Sequence, residues 1–269
     1  MQNKKMNILF IGDIIGRPGR SAIKQVLPEL RKEYEIDFVI ANGENLASGI
    51  GMTEKTYQEM IDAGIDYFTS GNHIFDKQEF LPILDHKSTK VLRPANYPES
   101  TEGKGWVDLK IAGKIVRLIN LQGRVFMKDL IDNPFYVVDE LINLKSNVYC
   151  LKPEIILIDF HAEATSEKNS LAHYLDGRVA AVIGTHTHIQ TNDARVLSKE
   201  TAFITDLGMV GPVNSSLGAD LENAYDTFLN GTPFKMEPAK GPKIFNSVLL
   251  KINPKNKVEI IEIINRNIE

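Results

Sequence analysis

The chain has 269 residues, of which 25% are charged, and a formal net charge of −4. This length provides enough apolar surface for a large core, and we expect a single domain over residues 1–269. The net charge excludes a broad cationic surface, so tight binding of duplex DNA through charge alone is not expected.

Cysteine usage and the apolar segments indicate the compartment. Cys150 is the only cysteine, so no intrachain disulfide can form, which is typical of a reducing compartment. The basic residues that follow Met1 precede only a short apolar run, which breaks at Gly12-Asp13, so no signal peptide is predicted. No segment is long enough to span a bilayer. We therefore predict a cytoplasmic protein with no membrane partner.

The first third of the chain alternates short apolar strands with amphipathic helices. The strands are predicted over 7–11, 37–41 and 66–70. The helices are predicted over 21–34 and 53–63, with Thr53 as the expected N-cap of the second helix. Strand–turn–helix units in succession are typical of a layered α/β fold with parallel strands.

The remainder of the chain predicts two hairpins and further strands and helices. The hairpins span 106–121, turning at Ala112-Gly113, and 247–264, turning at 253–256. Helices are predicted over 134–145 and 165–175, and strands over 154–160, 179–183 and 201–205. No repeat or linker separates these elements, so we predict one domain made of two packed sheets with helices outside.

Residues that commonly bind metals follow five of the predicted strands. These residues are Asp13, Glu44, Asn45, Asn72, His73, His161, His186 and His188. Binding sites in open α/β sheets form at the carboxyl ends of strands. Polar groups at strand ends cost desolvation free energy unless they are paired or coordinate something. The grouping therefore predicts a metal site at these ends.

The residue types restrict the metal and the substrate. Imidazole and carboxylate together suit iron, manganese, zinc or nickel, whereas an all-oxygen site would suit magnesium or calcium. Asp13 and Glu44 are the only anions of the group, so two divalent ions would keep about two positive charges before hydroxide binds. That field suits a phosphate ester. Glu44 has two oxygens and can bridge both ions, as in sites that clamp an in-line displacement.

Several of these residues also have simpler interpretations. His161 alone fits a hydrogen-bonded core histidine, and Asn72-His73 fits a plain turn. His186 and His188 would face the same side of an extended segment, which favours a shared ligand role. Asp76 either orients His73 or begins a helix.

The neighbours of the group have open assignments. Asp206, with the glycines after it, either lines the substrate pocket or forms a turn that needs glycine. Arg93 and Arg124 either contact phosphate or form surface ion pairs. The segment 12–19 lacks the lysine of a phosphate-binding loop, so its glycines are expected to let the backbone pass close to the metals.

The sequence blocks resemble the calcineurin-like metallophosphoesterases. The matching blocks are Asp13, Gly71-Asn72-His73, His161 and Gly184-Thr185-His186-Thr187-His188. Two departures stand out, because Ile15 replaces a histidine and Glu44-Asn45 replaces the aspartate of the second block. With Asn42-Gly43-Glu44-Asn45 and Arg93-Pro94-Ala95-Asn96-Tyr97-Pro98, the chain is similar almost end to end to the bacterial YmdB-type phosphodiesterases.

The resemblance implies a four-layer α/β/β/α sandwich that holds two metal ions, with iron expected and manganese or zinc as alternatives. It implies one ion on Asp13, Glu44, Asn45 and His188, and the other on Glu44, Asn72, His161 and His186. Asn45 would replace the histidine that is missing at Ile15, and His73 would be the general acid. The implied substrates are cyclic nucleotides, chiefly 2′,3′-cyclic and also 3′,5′-cyclic.

The mechanism expected from this arrangement is attack of a metal-bound hydroxide on phosphorus while His73 protonates the departing ribose oxygen. Three functions remain open. The first is a phosphodiesterase acting on cyclic nucleotides or RNA ends, and the second is a phosphatase acting on another phosphoester. The third is a non-catalytic regulator that binds nucleotide or RNA. The complete ligand set and His73 favour catalysis, and a homo-oligomer is compatible with each function.

Overall fold

The structure, a computed structural model, describes residues 5–145 and 152–269, so Cys150 lies outside the described residues. The strands are β1 (Met6–Ile11), β2 (Asp13–Ile14), β3 (Phe38–Asn42), β4 (Tyr67–Thr69), β5 (Trp106–Ile111), β6 (Lys114–Gln122), β7 (Ile155–His161), β8 (Ala181–Thr185), β9 (Arg195–Val196), β10 (Ala202–Ile204), β11 (Met209–Pro212), β12 (Lys243–Ile252) and β13 (Val258–Ile268). The helices are α1 (Gly16–Glu33), α2 (Glu54–Asp62), α3 (Leu81–Leu84), α4 (Pro134–Asn143), α5 (Thr165–Tyr174) and α6 (Leu221–Asn230), and a 3-10 turn spans Gln78–Phe80.

The first sheet is built around β12. One edge of β12 pairs antiparallel with β13, and the other edge pairs antiparallel with β1 and then with β11. β1, β3 and β4 are parallel neighbours, and β2 pairs in parallel with β11. The parallel strands therefore direct their carboxyl ends toward one edge of this sheet.

The second sheet has the strand order β5-β6-β7-β8-β10-β9. Its four inner strands are parallel, and the two outer strands are antiparallel to their neighbours. The hairpin of β5 and β6 turns at Ala112 and Gly113, which have φ angles of 47° and 86°. Two consecutive positive φ angles match the tight turn that suits the twist of paired strands. The predicted hairpin is thus confirmed.

Side-chain alternation along the strands separates the core into three layers. In β1, Leu9 and Ile11 pack toward α1, whereas Ile8 and Phe10 pack between the two sheets. In β7, Ile158 packs with α4 and α5 on the far side of the second sheet. Strands covered on both faces have nearly continuous apolar sequences, which explains the largely apolar runs in β1 and β7, broken only by Asn7 and Asp159. The predicted α/β/β/α sandwich is confirmed.

Helix α1 differs from its prediction, because it begins at Gly16 and not at Ser21. Pro18 lies in its first turn, where the missing N–H costs nothing and the fixed φ favours a helix. The second half of the glycine-containing segment 12–19 is therefore helical. Helix α2 agrees with its prediction, and Thr53 accepts a hydrogen bond from the backbone N–H of Thr56 as its N-cap.

Helix α6 was not predicted from the sequence. Asp220 caps its start by accepting from the backbone N–H of Glu222, and Gly231 ends it in the left-handed region. Its apolar residues Leu221, Ala224, Tyr225 and Phe228 recur at helical spacing, so the sequence carried a signal for this helix that was overlooked, although only Ala224 is buried. The two-residue strands β2 and β9 were also missed, as was β11. No helix among the described residues is both long and apolar enough to cross a membrane.

A buried ion pair connects the β5–β6 hairpin to α4. The Arg117 guanidinium is fully buried and donates two hydrogen bonds to the Asp108 carboxylate, at 2.8 and 2.9 Å. It also donates to the carbonyl oxygens of Leu141 and Leu144, at 2.6 and 3.0 Å. Its guanidinium carbon lies 4.4 Å from the centre of the Trp106 ring. The buried guanidinium of Arg117 therefore depends on Asp108 for its counterion and for two of its hydrogen bonds.

We expect Asp108→Ala to lower the free energy of unfolding by about 3–5 kcal/mol, because it leaves a buried cation without its counterion. Urea denaturation followed by circular dichroism measures this change. The matched control is Glu262→Gln, which removes a half-exposed ion pair with Lys251 and should cost at most about 1 kcal/mol. Equal losses in the two variants would contradict the role assigned to Arg117.

Candidate metal centre

The carboxyl ends of the parallel strands of both sheets meet at one end of the sandwich. Asn42, at the end of β3, has its Nδ2 atom 3.3 Å from Nδ1 of His161, at the end of β7. Ser70, just after β4, donates its backbone N–H to Oδ1 of Asn120 in β6 at 2.8 Å. These contacts place the ends of β3 and β4 opposite the ends of β6 and β7.

His161 lies at the centre of the predicted group. Its Nε2 atom is 3.2 Å from Oε1 of Glu44, 3.3 Å from Oδ1 of Asn72 and 3.0 Å from Nδ1 of His186. Its Nδ1 atom lies 3.9 Å from Oδ1 of Asp13. One imidazole thus contacts residues from four different turns.

The other members of the group lie beside this centre. Nε2 of His188 is 3.9 Å from Oδ1 of Asp13, and the backbone N–H of His73 donates to Oε2 of Glu44 at 3.3 Å. Asn45 lines the same cavity as Glu44. The structure therefore brings together all eight residues that the sequence singled out.

Two overlapping sets within the group have the geometry of a metal site. Potential ligand atoms of Glu44, His161 and His186 all lie within 4.8 Å of one another, and so do those of Asp13, Glu44 and His188. Glu44 belongs to both sets, which is the arrangement expected of a carboxylate that bridges two ions.

Unsatisfied oxygens and a close backbone approach fit a bound cation. Oδ1 of Asp13 and Oδ1 of Asn45 are buried and accept no hydrogen bond from any described residue. Buried oxygens without a donor are costly unless a cation coordinates them. A Cβ atom at Gly71 would lie 2.2 Å from Nε2 of His161 and 2.4 Å from Oε2 of Glu44. Only glycine fits at this position without displacing the group.

The electrostatic field of the group favours a cation. Burial raises the pKa of Asp13 well above its usual range. Burial opposes a charge on His161, yet the carboxylates of Glu44, Asp13 and Asp159 outweigh it and raise the pKa of His161 to about 9. Burial and the neighbouring His161 lower the pKa of His186 to about 3. The carboxylates around His161 thus favour a positive charge at this position, and a metal ion would satisfy the same potential.

The turn that carries His186 and His188 is not extended, so the prediction of an extended segment was wrong. Strand β8 ends at Thr185, and the φ angles of His186 and His188 are 100° and 61°. Non-glycine residues seldom adopt positive φ, and such strain is concentrated at functional sites. Asp206 holds the turn by accepting from the backbone N–H and the hydroxyl of Thr187, at 3.0 and 2.8 Å.

Lys168 completes this support and was missed in the sequence. Its buried ammonium donates to Oδ2 of Asp206 at 2.6 Å. Asp206 therefore acts beneath the turn, and it does not line the cavity that the candidate ligands share. The sequence did not indicate this lysine because it lies in α5, a helix with exposed faces on which a lysine is normally a surface residue.

Hydrogen bonds on the far side of two rings orient them toward the group. Nδ1 of His188 lies 2.8 Å from the carbonyl oxygen of Leu217, which leaves Nε2 directed to Asp13. Nδ1 of His161 lies 3.0 Å from Oγ1 of Thr185, which in turn donates to Asp159 at 2.7 Å. Partners of this kind select the tautomer and ring orientation of metal-binding histidines.

His73 differs from the other histidines in its surroundings. Its Nδ1 atom is 2.7 Å from Oδ2 of Asp76, which confirms the first of the two interpretations of Asp76. The His73 side chain is 35% exposed and lines the cavity. The carboxylate fixes Nδ1 as the donor and leaves Nε2 for a bound molecule.

Three other candidates have different contacts from those predicted. Arg93 is buried and donates to the carbonyl oxygen of Pro94 at 2.8 Å, and among the described residues it forms neither a surface ion pair nor a contact with the group. Arg124 lies at a separate surface near Glu167. At Gly12, a Cβ atom would lie 1.9 Å from the carbonyl oxygen of Gly208, so packing between two backbones explains this glycine.

A cavity of about 460 Å³ opens onto the group. Its polar side includes Glu163, whose Oε2 atom lies 3.1 Å from Nε2 of His186. Glu163 was not predicted from the sequence, although its spacing of two residues from His161 was a visible signal. The opposite side of the cavity is apolar and is formed by Ile50, Leu217, Phe228, Phe234 and Met236.

Solved structures share this architecture over almost the whole chain. A hypothetical protein from Thermus thermophilus is 40% identical and superimposes with a TM-score of 0.91, covering 98% of this chain and 100% of the other. A structure described as a novel phosphatase from Mycoplasma pneumoniae is 33% identical with a TM-score of 0.92, covering 100% of this chain and 95% of the other.

Sequence comparison identifies the same group of proteins. The 2′,3′-cyclic-nucleotide 2′-phosphodiesterase of Bacillus subtilis (strain 168) is 47% identical over 252 residues, which cover 94% of this chain and 93% of the relative. The profile of the family described as YmdB-like protein matches residues 9–264. With this match over most of its length, the chain belongs to the YmdB-like family.

Proposed function

We propose that this protein is a dinuclear metal-dependent phosphodiesterase that hydrolyses 2′,3′-cyclic nucleotides, and also 3′,5′-cyclic nucleotides. The observation that carries the proposal is the pair of potential ligand sets that share Glu44. The Bacillus subtilis relative, named for the 2′,3′-cyclic reaction, supports the substrate class.

The proposed ligands divide between two ions. Asp13, Asn45 and His188 would hold one ion, and Asn72, His161 and His186 would hold the other. Glu44 would bridge them. The unpartnered oxygens of Asp13 and Asn45 support the first set, and the contacts of His161 with Asn72 and His186 support the second.

The mixed donor set supports iron, with manganese or zinc as alternatives. Divalent ions at such a site lower the pKa of bound water and offset the charge of the phosphate. The remaining chemistry belongs to the side chains of this chain.

His73 is the proposed general acid. Asp76 holds its Nδ1 atom, and its ring lines the cavity beside Glu44. When the bond between phosphorus and a ribose oxygen breaks, the leaving oxygen becomes an alkoxide, which is a poor leaving group at neutral pH. A proton delivered by His73 to that oxygen removes this obstacle, and a general acid in such a position contributes about 10²–10⁴-fold to the rate.

A phosphatase acting on a phosphomonoester is the second candidate. The description of the Mycoplasma pneumoniae structure as a phosphatase favours it, and the same ligands serve both reactions. RNA ends that carry a cyclic phosphate are a further class of substrate for the first candidate. A regulator that binds nucleotide without turnover is the third possibility, and the presence of His73 argues against it.

Two broader proposals accompany this function. The core cluster that joins both sheets supports a single domain over residues 1–269. The single cysteine supports a cytoplasmic location.

Metal analysis and activity measured on the same purified sample test the proposed function. We expect about two ions per chain and turnover of adenosine 2′,3′-cyclic phosphate, with weaker turnover of phosphomonoesters. Fewer than two ions together with no turnover of any ester would refute the proposal. Preferential turnover of a phosphomonoester would favour the phosphatase instead.

Glu44→Ala should remove both ions, because each proposed set depends on this carboxylate. Inductively coupled plasma mass spectrometry would measure the metal content, and Glu44→Gln would preserve the shape of the side chain while removing its charge. The matched control is Glu54→Ala in the exposed first turn of α2, which should keep both ions. Retention of one full ion in Glu44→Ala would contradict the bridging role.

His73→Ala should lower kcat for adenosine 2′,3′-cyclic phosphate by roughly 10²–10⁴-fold while the metal content is unchanged. Turnover of bis(p-nitrophenyl) phosphate should fall much less, because nitrophenolate leaves without a proton. His86→Ala is the control, since that ring is exposed and contacts only Ser88 among the described residues. Loss of metal together with activity would identify His73 as a ligand.

A further inference from the structure

The cavity above the candidate metal centre has two chemically different sides. Glu44, His186 and His188 lie on one side, and the apolar wall lies on the other. We define the apolar wall as Ile50, Leu217, Phe228, Phe234 and Met236. Its two aromatic rings are unusually open to solvent, since Phe228 is 81% exposed and Phe234 is 52% exposed.

The apolar wall is attached to the metal centre. The carbonyl oxygen of Leu217 contacts Nδ1 of His188 at 2.8 Å, so a wall residue and a proposed ligand share a hydrogen bond. Met236 packs on Gly49, where a Cβ atom would lie 2.7 Å from its Cε atom. Gly49 in turn accepts a hydrogen bond from the Asn45 amide at 2.9 Å. The wall therefore has a defined position relative to the centre.

Backbone hydrogen bonds hold the segment that carries the two rings. Asp220 donates its N–H to the carbonyl oxygen of Glu237 at 2.8 Å, and Ala239 donates to Gly218 at 2.9 Å. These bonds close the segment that contains α6 and Phe234 into one loop over the cavity. Phe228 and Phe234 are thus presented from a tied segment and not from a free end.

We propose that the apolar wall binds the nucleobase of a cyclic nucleotide whose phosphate lies at the metal centre. This inference rests on the proposed function and extends it by naming the residues that determine specificity. Phe228 and Phe234 supply the stacking surface, and Ile50, Leu217 and Met236 supply the apolar floor.

The chemistry of the ligand favours this assignment. In a cyclic nucleotide the phosphate and ribose are polar, and the base is the only part with a large apolar face. Bases stack on aromatic side chains with little dependence on sequence. A volume of about 460 Å³ lies within the range of roughly 300–1,000 Å³ that is typical of small-ligand sites. A phosphomonoester without an apolar group would leave the exposed rings uncovered.

Kinetics with and without a base test the assignment. The substrates are adenosine 2′,3′-cyclic phosphate and the cyclic phosphate of methyl ribofuranoside, which has no base. Phe228→Ala and Phe234→Ala should each raise KM for the adenosine ester about tenfold and leave kcat and metal content unchanged. KM for the ester without a base should not change. Phe228→Trp keeps an aromatic ring at this position, so its KM for the adenosine ester should equal that of the wild type.

Leu229→Ala is the matched control. Leu229 is the neighbour of Phe228 in α6 and is 80% exposed, but it does not line the cavity. Its loss should affect neither substrate. Equal changes for both substrates in the phenylalanine variants would overturn the proposal, because the wall would then support the site and not the base.

Calorimetry on the metal-loaded protein separates this inference from the proposed function. Adenosine 3′-monophosphate should bind at least about tenfold more tightly than ribose 3-phosphate, and the phenylalanine variants should abolish the difference. Such binding without turnover of any ester would refute the proposed function and support the wall. Turnover without any preference for a base would refute the assignment of the apolar wall as the base-binding site and leave the proposed function unaffected. Tight binding only of longer single-stranded RNA would also refute this assignment.

Discussion

The position of the candidate centre depends on Asp159, which joins the two sheets beneath it. Its carboxylate accepts hydrogen bonds from the hydroxyl of Thr69 in the first sheet and, at 2.7 Å, from that of Thr185 in the second. Burial, partly offset by these bonds, raises the pKa of Asp159 to about 6. Thr185 in turn contacts His161 at 3.0 Å. Since turns from both sheets contribute to the group, their spacing depends on this buried network.

A second layer of contacts orients the residues that face the cavity. The buried pair of Lys168 and Asp206 holds the strained turn after β8, and Leu217 holds the ring of His188. The turn has positive φ at His186, which the surrounding hydrogen bonds must maintain. The same Leu217 belongs to the apolar wall, so the parts that would hold metal and base are mechanically connected. Rigid support of this kind keeps reacting groups in a productive geometry.

Local patterns were sufficient for most of the fold and for singling out the eight residues that the structure brings together. Apolar runs that ended at polar turns predicted the strands, and their alternation with helices predicted parallel sheets. Helix α6 was overlooked although Leu221, Ala224, Tyr225 and Phe228 recur at helical spacing, and Tyr225 and Phe228 of this stripe remain exposed in the fold. The extended backbone expected at His186 and His188 was wrong, because long-range hydrogen bonds to Asp13 and Asp206 override local preference.

The sequence by itself determined which residue types stand at the strand ends, since strands and turns depend on neighbours along the chain. It therefore indicated the eight residues of the group, but it left Asp76 open between orienting His73 and starting a helix. Only the tertiary structure decided the distances among them and the supporting residues Lys168 and Glu163. It also decided that Phe228 and Phe234 face the same cavity as Glu44. Contacts between residues so distant in sequence arise from the packing of two sheets, which leaves no periodic signal in the chain.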